Sequence, residues 1–171
     1  MRMKQKLYLV LYYAIAYNLP NYAFPLGKLF NWIRVETLRK IIPIGDKNRI
    51  MRRVYIGDGN NVSIGNNCRI NEGVRLDNVS IGNNVLIARE SIILGKMHAY
   101  EEAQIPITDQ GDKVIKASVL EDDVWLGLRV IILPGIIVRK GSIVGAGAVV
   151  SKDTEPMSIY GGVPAKVIRK R

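Results

Sequence analysis

From Leu120 onward an apolar residue returns at every sixth position without a break: Leu120, Leu126, Ile132, Val138, Val144 and Val150. Four residues beyond these anchors stand Val124, Val130, Ile136, Ser142 and Ala148, all apolar or small. A period of six matches neither the helical turn of 3.6 residues nor the two-residue alternation of a plain strand. It fits a parallel β-solenoid in which each hexapeptide supplies one short strand and one turn, three of them closing a three-sided coil. No coil can bury its apolar face alone, so anchors must stack on anchors of the next coil. The same register runs through Ile44, Ile50, Ile56, Ile64, Ile70, Leu76, Ile81, Ile87 and Ile93, with irregular steps from 56 to 64 and from 76 to 81. Those steps predict small bulges at coil corners. Asn60-Asn61, Asn66-Asn67 and Asn83-Asn84, with Gly57, Gly65, Gly82, Gly127 and Gly145 directly after anchors, are expected at tight corners where φ turns positive. Cys68, four residues after Ile64, takes a small inward slot and reads as core, not as a nucleophile.

Composition agrees with strands. The chain of 171 residues has room for one sizeable domain and an appendage. Only 12 residues are aromatic, eight of them Tyr, so the core rests on Ile, Val and Leu. One Cys and one His (His98) exclude a disulfide framework and a His/Cys zinc site. The net charge of +10 points to anionic partners, yet the basic residues of the middle stand singly, with no aromatic platform between them. That argues against a nucleic-acid surface.

The charge is concentrated in residues 1–43, where Arg2, Lys4, Lys6, Lys28, Arg34, Arg39 and Lys40 face Glu36 alone. Leu7 to Tyr17 is an apolar, Tyr-rich run too short to span a bilayer. Tyr8, Tyr12, Tyr13 and Tyr17 recur at helical spacing, and their half-polar rings suit a membrane or protein boundary. After Pro20 and Pro25 a second helix is expected from Leu26 to Ile42, with Leu26, Leu29, Phe30, Ile33 and Ile41 on one side and Lys28, Arg34, Arg39 and Lys40 elsewhere on its surface. Two readings stay open: an interfacial anchor on an acidic membrane, or helices packed on the main domain or its oligomer.

The repeat pattern, with Asp-Val-Trp-Leu-Gly-Leu-Arg-Val-Ile-Ile-Leu-Pro-Gly (123–135), Val-Gly-Ala-Gly-Ala-Val-Val-Ser-Lys-Asp (144–153) and Gly-Gly-Val-Pro-Ala-Lys-Val-Ile-Arg (161–169), resembles the hexapeptide-repeat acetyltransferases. The similarity is to the maltose, galactoside and polysaccharide O-acetyltransferase branch and covers about residues 44–171. The resemblance implies a left-handed parallel β-helix, here an all-β solenoid with an N-terminal helical leader (1–43), the helix proper (44–160) and a basic C-terminal tail (161–171). It also implies acetyl-CoA as co-substrate, no metal, and a homotrimer whose sites are each shared by two chains. A carbohydrate acceptor and a cytoplasmic enzyme, at the inner face of the membrane if the leader binds there, complete the expectation.

The repeat breaks between Leu94 and Ser118, an excursion (95–118) that carries the only His. A sugar hydroxyl attacks a thioester poorly until a base takes its proton, and neutral imidazole suits that task at neutral pH. His98 stands where the resembling enzymes hold their base, so it is the expected catalytic residue, acting on the hydroxyl and then protonating the coenzyme A thiolate. By the same resemblance Asn71 is an acceptor contact or else a corner residue; Glu101 and Glu102, loop carboxylates beside His98, polarise it, contact the acceptor or do neither. Ala146, Ser151 and Lys152 would line the pantetheine and adenine end, and Lys166 and Arg169 would face the phosphates. Trp125 would wall the thioester, with ordinary packing as its alternative. Lys at 166 and Leu at 128 depart from the family's usual Arg and small residue. The competing activities are acetylation of an amino sugar or antibiotic, and, from another class, a non-catalytic assembly module. A β-helical metal hydratase fails for want of three His.

Overall fold

The computed structural model describes residues 3–171 and shows a three-sided parallel β-solenoid of about six turns. Face I stacks Val62–Ile64, Val79–Ile81, Ser118–Leu120 and Ile137–Val138. Face II stacks Arg49–Ile50, Arg69–Ile70, Leu86–Ile87, Trp125–Leu126, Ile143–Val144 and Ser158–Gly161. Face III stacks Arg75–Leu76, Ile92–Ile93, Ile131–Ile132 and Val149–Val150. Successive coils pair in parallel with anchors in register, as at Ile87 on Leu126 and Leu126 on Val144. Every anchor from Ile50 to Val150 is buried, as are Cys68, Val74, Val85, Ser91, Val124, Val130, Ser142 and Ala148 in the secondary slots. The Cys68 thiol donates to the Gly82 carbonyl at 3.1 Å, and burial pushes its pKa up, away from thiolate chemistry.

The corners show two different needs for small residues. Asn61, Asn67 and Asn84 adopt positive φ as expected, and so does Asn78, while Asn66 and Asn83 form a hydrogen-bonded ladder that ends on Asp122. Gly65, Gly82 and Gly127, expected there for their φ, do not have it. They are required by the spacing of the coils: a Cβ on Gly65 would sit 2.5 Å from the Gly82 carbonyl oxygen. Gly65→Ala should therefore cost about 1–3 kcal/mol, read as a lower denaturant midpoint. An unchanged midpoint would refute this close-approach account.

The N-terminal segment forms two helices, α1 (Met3–Ala14) and α2 (Gly27–Arg39), that close the first coil. Tyr12 donates to the Val54 carbonyl at 2.5 Å and Tyr13 to that of Gly57 at 2.8 Å. The tyrosines thus face the coil. The apolar side expected of α2 is corrected in part: Ile41 is buried, but Leu26 and Leu29 are exposed, and the inward face of the helix is Arg34, Val35 and Leu38. Arg34 is wholly buried, and its guanidinium donates to the carbonyls of Ala16 (3.0 Å), Ile50 (2.8 Å), Leu19 (2.7 Å) and Pro20 (3.4 Å). A charged donor set of fixed fork geometry satisfies backbone acceptors that the irregular turn between α1 and α2 leaves unpaired. At the other end, residues 166–170 are not a loose tail. Lys166–Lys170 is an antiparallel strand on Ser158–Gly161, and Arg171 pairs with Asp123 at 2.7 Å.

Candidate active site

The excursion leaves the solenoid where face III turns into face I, above the corners Gly57–Asn61 and Asp77–Asn78 of the preceding coils. Along this III–I edge runs a groove of about 470 Å³, lined in part by Tyr55, Asp58, Asn60, Asp77, Asn78 and Lys96. Burial pushes the Asp77 carboxyl up, against the pull of Arg75, and Asp58 adds to the rise. The groove therefore presents two carboxyls, two amides and a phenol beside the root of the excursion, a set suited to hydroxyl-bearing ligands.

The excursion is a braced hairpin. Ala99 N–H donates to the Gly111 carbonyl (2.9 Å) and Lys113 N–H to that of Met97 (2.9 Å), so His98 and Asp112 face each other across the two arms. His98 Nδ1 lies 2.9 Å from Asp112 Oδ1, and Lys96 Nζ lies 3.8 Å from Asp112 Oδ2. A carboxylate can only accept here, so Nδ1 carries the hydrogen and Nε2 is the basic nitrogen. Lys113 pairs with Glu101 and lies 4.0 Å over the Tyr100 ring, which holds the arms together. Glu101 is thus committed to Lys113, and that contact holds its carboxyl below the usual range. At the tip, the Gln110 amide donates to the carbonyls of Glu102 (2.9 Å) and Ile105 (2.7 Å) and accepts from Glu102 N–H at 3.1 Å. The Glu102 side chain is exposed at this tip.

Sequence reasoning missed Asp112 and Gln110. The signal for Asp112 was present as Asp-Gln-Gly-Asp-Lys: Gly111 has φ +76° and turns the second arm back towards the first. What could not be read was which acid of the excursion meets the ring, since its interior carries no repeat.

Asn71 lies at the II–III corner and donates its amide to the Ile87 carbonyl at 2.9 Å. It therefore stands one edge away from the excursion. Ala146 occupies the same II–III edge, and Ser151 and Lys152 the III–I edge, in the coil bounded by Ile137–Val138 and Val149–Val150. All three are exposed. Trp125, 46% exposed, stands on face II between Leu86 and Ile143 of the neighbouring coils. Lys166 and Arg169 project from the exposed terminal strand. One chain thus joins His98 to Asp112, whose other oxygen faces Lys96 of the groove lining, but it does not join His98 to Ala146, which lies on another edge and in a later coil.

The architecture is that of the hexapeptide-repeat solenoids, and comparison with known proteins is more specific. Residues 119–152 match the family described as the hexapeptide repeat of succinyl-transferase. Galactoside O-acetyltransferase of Lactococcus lactis subsp. lactis is 30% identical over 142 residues, covering 80% of this chain and 67% of that protein. The Escherichia coli galactoside O-acetyltransferase is 31% identical over 130 residues, covering 74% of this chain and 63% of its own length. A hexapeptide-repeat acetyltransferase of Vibrio cholerae, solved with acetyl coenzyme A, superimposes with a TM-score of 0.81 at 23% identity over 97% of this chain and 86% of that one. The chain belongs to the hexapeptide-repeat acetyltransferase family. It spans about two thirds or less of the curated relatives named here.

Proposed function

We propose that the chain is an acetyl-CoA-dependent O-acetyltransferase that acts on a sugar hydroxyl in surface-polysaccharide biosynthesis. The observation that carries this reading is the His98–Asp112 pair in the excursion, next to Lys96 of the groove lining, on a solenoid whose similar solved structure holds acetyl coenzyme A. Nε2 of His98 takes the proton of the attacking hydroxyl as the oxygen bonds to the thioester carbonyl. The tetrahedral oxyanion then collapses, the C–S bond breaks, and the imidazolium returns the proton to the leaving thiolate. Asp112 fixes the tautomer and steadies the imidazolium. Asp112→Asn should lower the turnover rate about 10-fold to 100-fold, less than loss of the base, while the KM for acetyl-CoA stays close to that of the native chain. A KM that rises with no change in turnover would remove Asp112 from this role.

The acceptor contacts are the groove carboxyls, with Asn71 supplied by the family resemblance and Glu102 by its place in the excursion beside His98. The donor contacts are Trp125, Ala146, Ser151, Lys152, Lys166 and Arg169. Since His98 and Ala146 lie on different edges, the complete site is shared between neighbours in a homotrimer, His98 of one subunit facing Ala146 and Lys152 of the next. The outward aliphatic ladder Ile92, Ile131 and Val149 on face III suits such packing. A monomer that is both stable and active would overturn the shared site.

The test is acetyl transfer from acetyl-CoA to a panel of monosaccharides, lipid-linked glycans and amines. O-acetylated sugar as the main product is expected; acetylation confined to amines would favour an N-acetyltransferase of amino sugars or antibiotics. Absence of transfer, of acetyl-CoA hydrolysis and of acetyl-CoA protection against heat would leave an assembly module.

A further inference from the structure

The end of a solenoid needs a cap whose inner side is apolar and whose outer side is polar. Helix α1 meets the first requirement and violates the second. Its Tyr8, Tyr12 and Tyr13 side packs on the first coil, and Tyr12 is fully buried. The opposite side is aliphatic: Met3 is 87% exposed, Leu7 60% and Val10 64%, with Leu11 and Ala14 exposed beside them. At 100° per residue these five positions fall within an arc of about 100°, and Lys4 and Lys6 stand on its two borders. No acidic residue lies anywhere in Met3–Ala14. The same cap exposes Phe24, Leu26, Leu29 and Trp32 in and before α2, beside Lys28.

We infer that this cap is a docking surface for an anionic lipid bilayer, with the α1 stripe seated at the headgroup–acyl boundary and its lysines among the phosphates. Three features select this occupant. The stripe is purely aliphatic and offers no hydrogen-bonding group, so it suits fluid hydrocarbon better than a patterned protein groove. Lysines bordering an apolar stripe can extend towards headgroups while their stems lie on the apolar boundary. A second copy of the chain would set lysine against lysine with no acid on the helix to meet it. Of the two boundaries the tyrosines suit, the structure shows the protein one: they hold α1 to the coil, and the residues between them are left for the lipid.

The test is co-sedimentation of the whole protein with vesicles of phosphatidylcholine alone or with about one third phosphatidylglycerol. The native chain is expected to pellet with the anionic vesicles and to be released as salt rises from about 0.1 to 0.5 M. Leu7→Ser with Val10→Ser should weaken binding about tenfold or more, and Lys4→Glu with Lys6→Glu should abolish the preference for anionic vesicles. All four residues are exposed, so both variants should keep the native melting temperature. Failure of the native chain to pellet with any vesicle, or binding that neither variant alters, would overturn the inference. So would assemblies in lipid-free buffer that Leu7→Ser with Val10→Ser dissolves, since the occupant would then be another copy. The readout is binding, so it stands or falls apart from the proposed acetyl transfer.

Discussion

Replacing His98 by alanine should slow acetyl transfer about 10²-fold to 10⁴-fold, the range that a positioned proton acceptor contributes. The loss should fall on the chemical step. His98 makes its contact with Asp112 in an exposed hairpin, outside the stacked core, so the variant should melt like the native protein. It should also bind acetyl-CoA, because the residues proposed to hold the donor lie on other coils. Steady-state rates, a binding titration with acetyl-CoA and a thermal melt together check this. Near-native turnover in His98→Ala would remove the proton-transfer mechanism outright. Loss of acetyl-CoA binding with a normal melt would instead put the imidazole in the donor site.

Replacing Arg34 by methionine should destabilise the fold by about 3–5 kcal/mol. Methionine fills much of the same volume, but the carbonyls of Ala16, Leu19, Pro20 and Ile50 would lose their donors inside the protein. Lysine at this position has one ammonium at the end of a flexible stem and cannot reproduce the fork, so Arg34→Lys should recover only part of the loss. The damage should be local first. These bonds tie α2, the turn after α1 and the first strand together, so limited proteolysis should cut near residues 15–25 sooner than in the native chain. A denaturant midpoint that Arg34→Met leaves in place would show that water or a shift of the backbone meets those carbonyls.

The solenoid was legible because its constraint is repeated: each anchor meets its counterparts one coil above and below, so a single local rule recurs from Ile50 to Val150. His98 could be singled out because it is the one imidazole and stands in the one long break of that rule. Asp112 was not, because its partnership depends on how two arms of an irregular hairpin close, and Asp109 or Glu101 would have served a sequence argument equally well. Arg34 misled for a related reason. A helix with Arg among apolar residues reads as amphipathic with the charge outward, whereas here four backbone carbonyls make a buried guanidinium favourable. Of the glycines after anchors, Gly57 has the expected positive φ, whereas at Gly65, Gly82 and Gly127 the neighbouring coil and not the local φ excludes a side chain.

The stacking of coils also makes the molecule a ruler. The excursion issues from the coil that begins at Val79, and Ala146, Ser151 and Lys152 belong to the coil that begins two strands later on face I. Each coil advances the chain by about 4.8 Å, so the height between His98 and the residues proposed to hold the donor is counted in whole rungs. An insertion of one complete rung between them would keep the repeating pattern of the prism and still move His98 and the proposed donor residues apart by one coil.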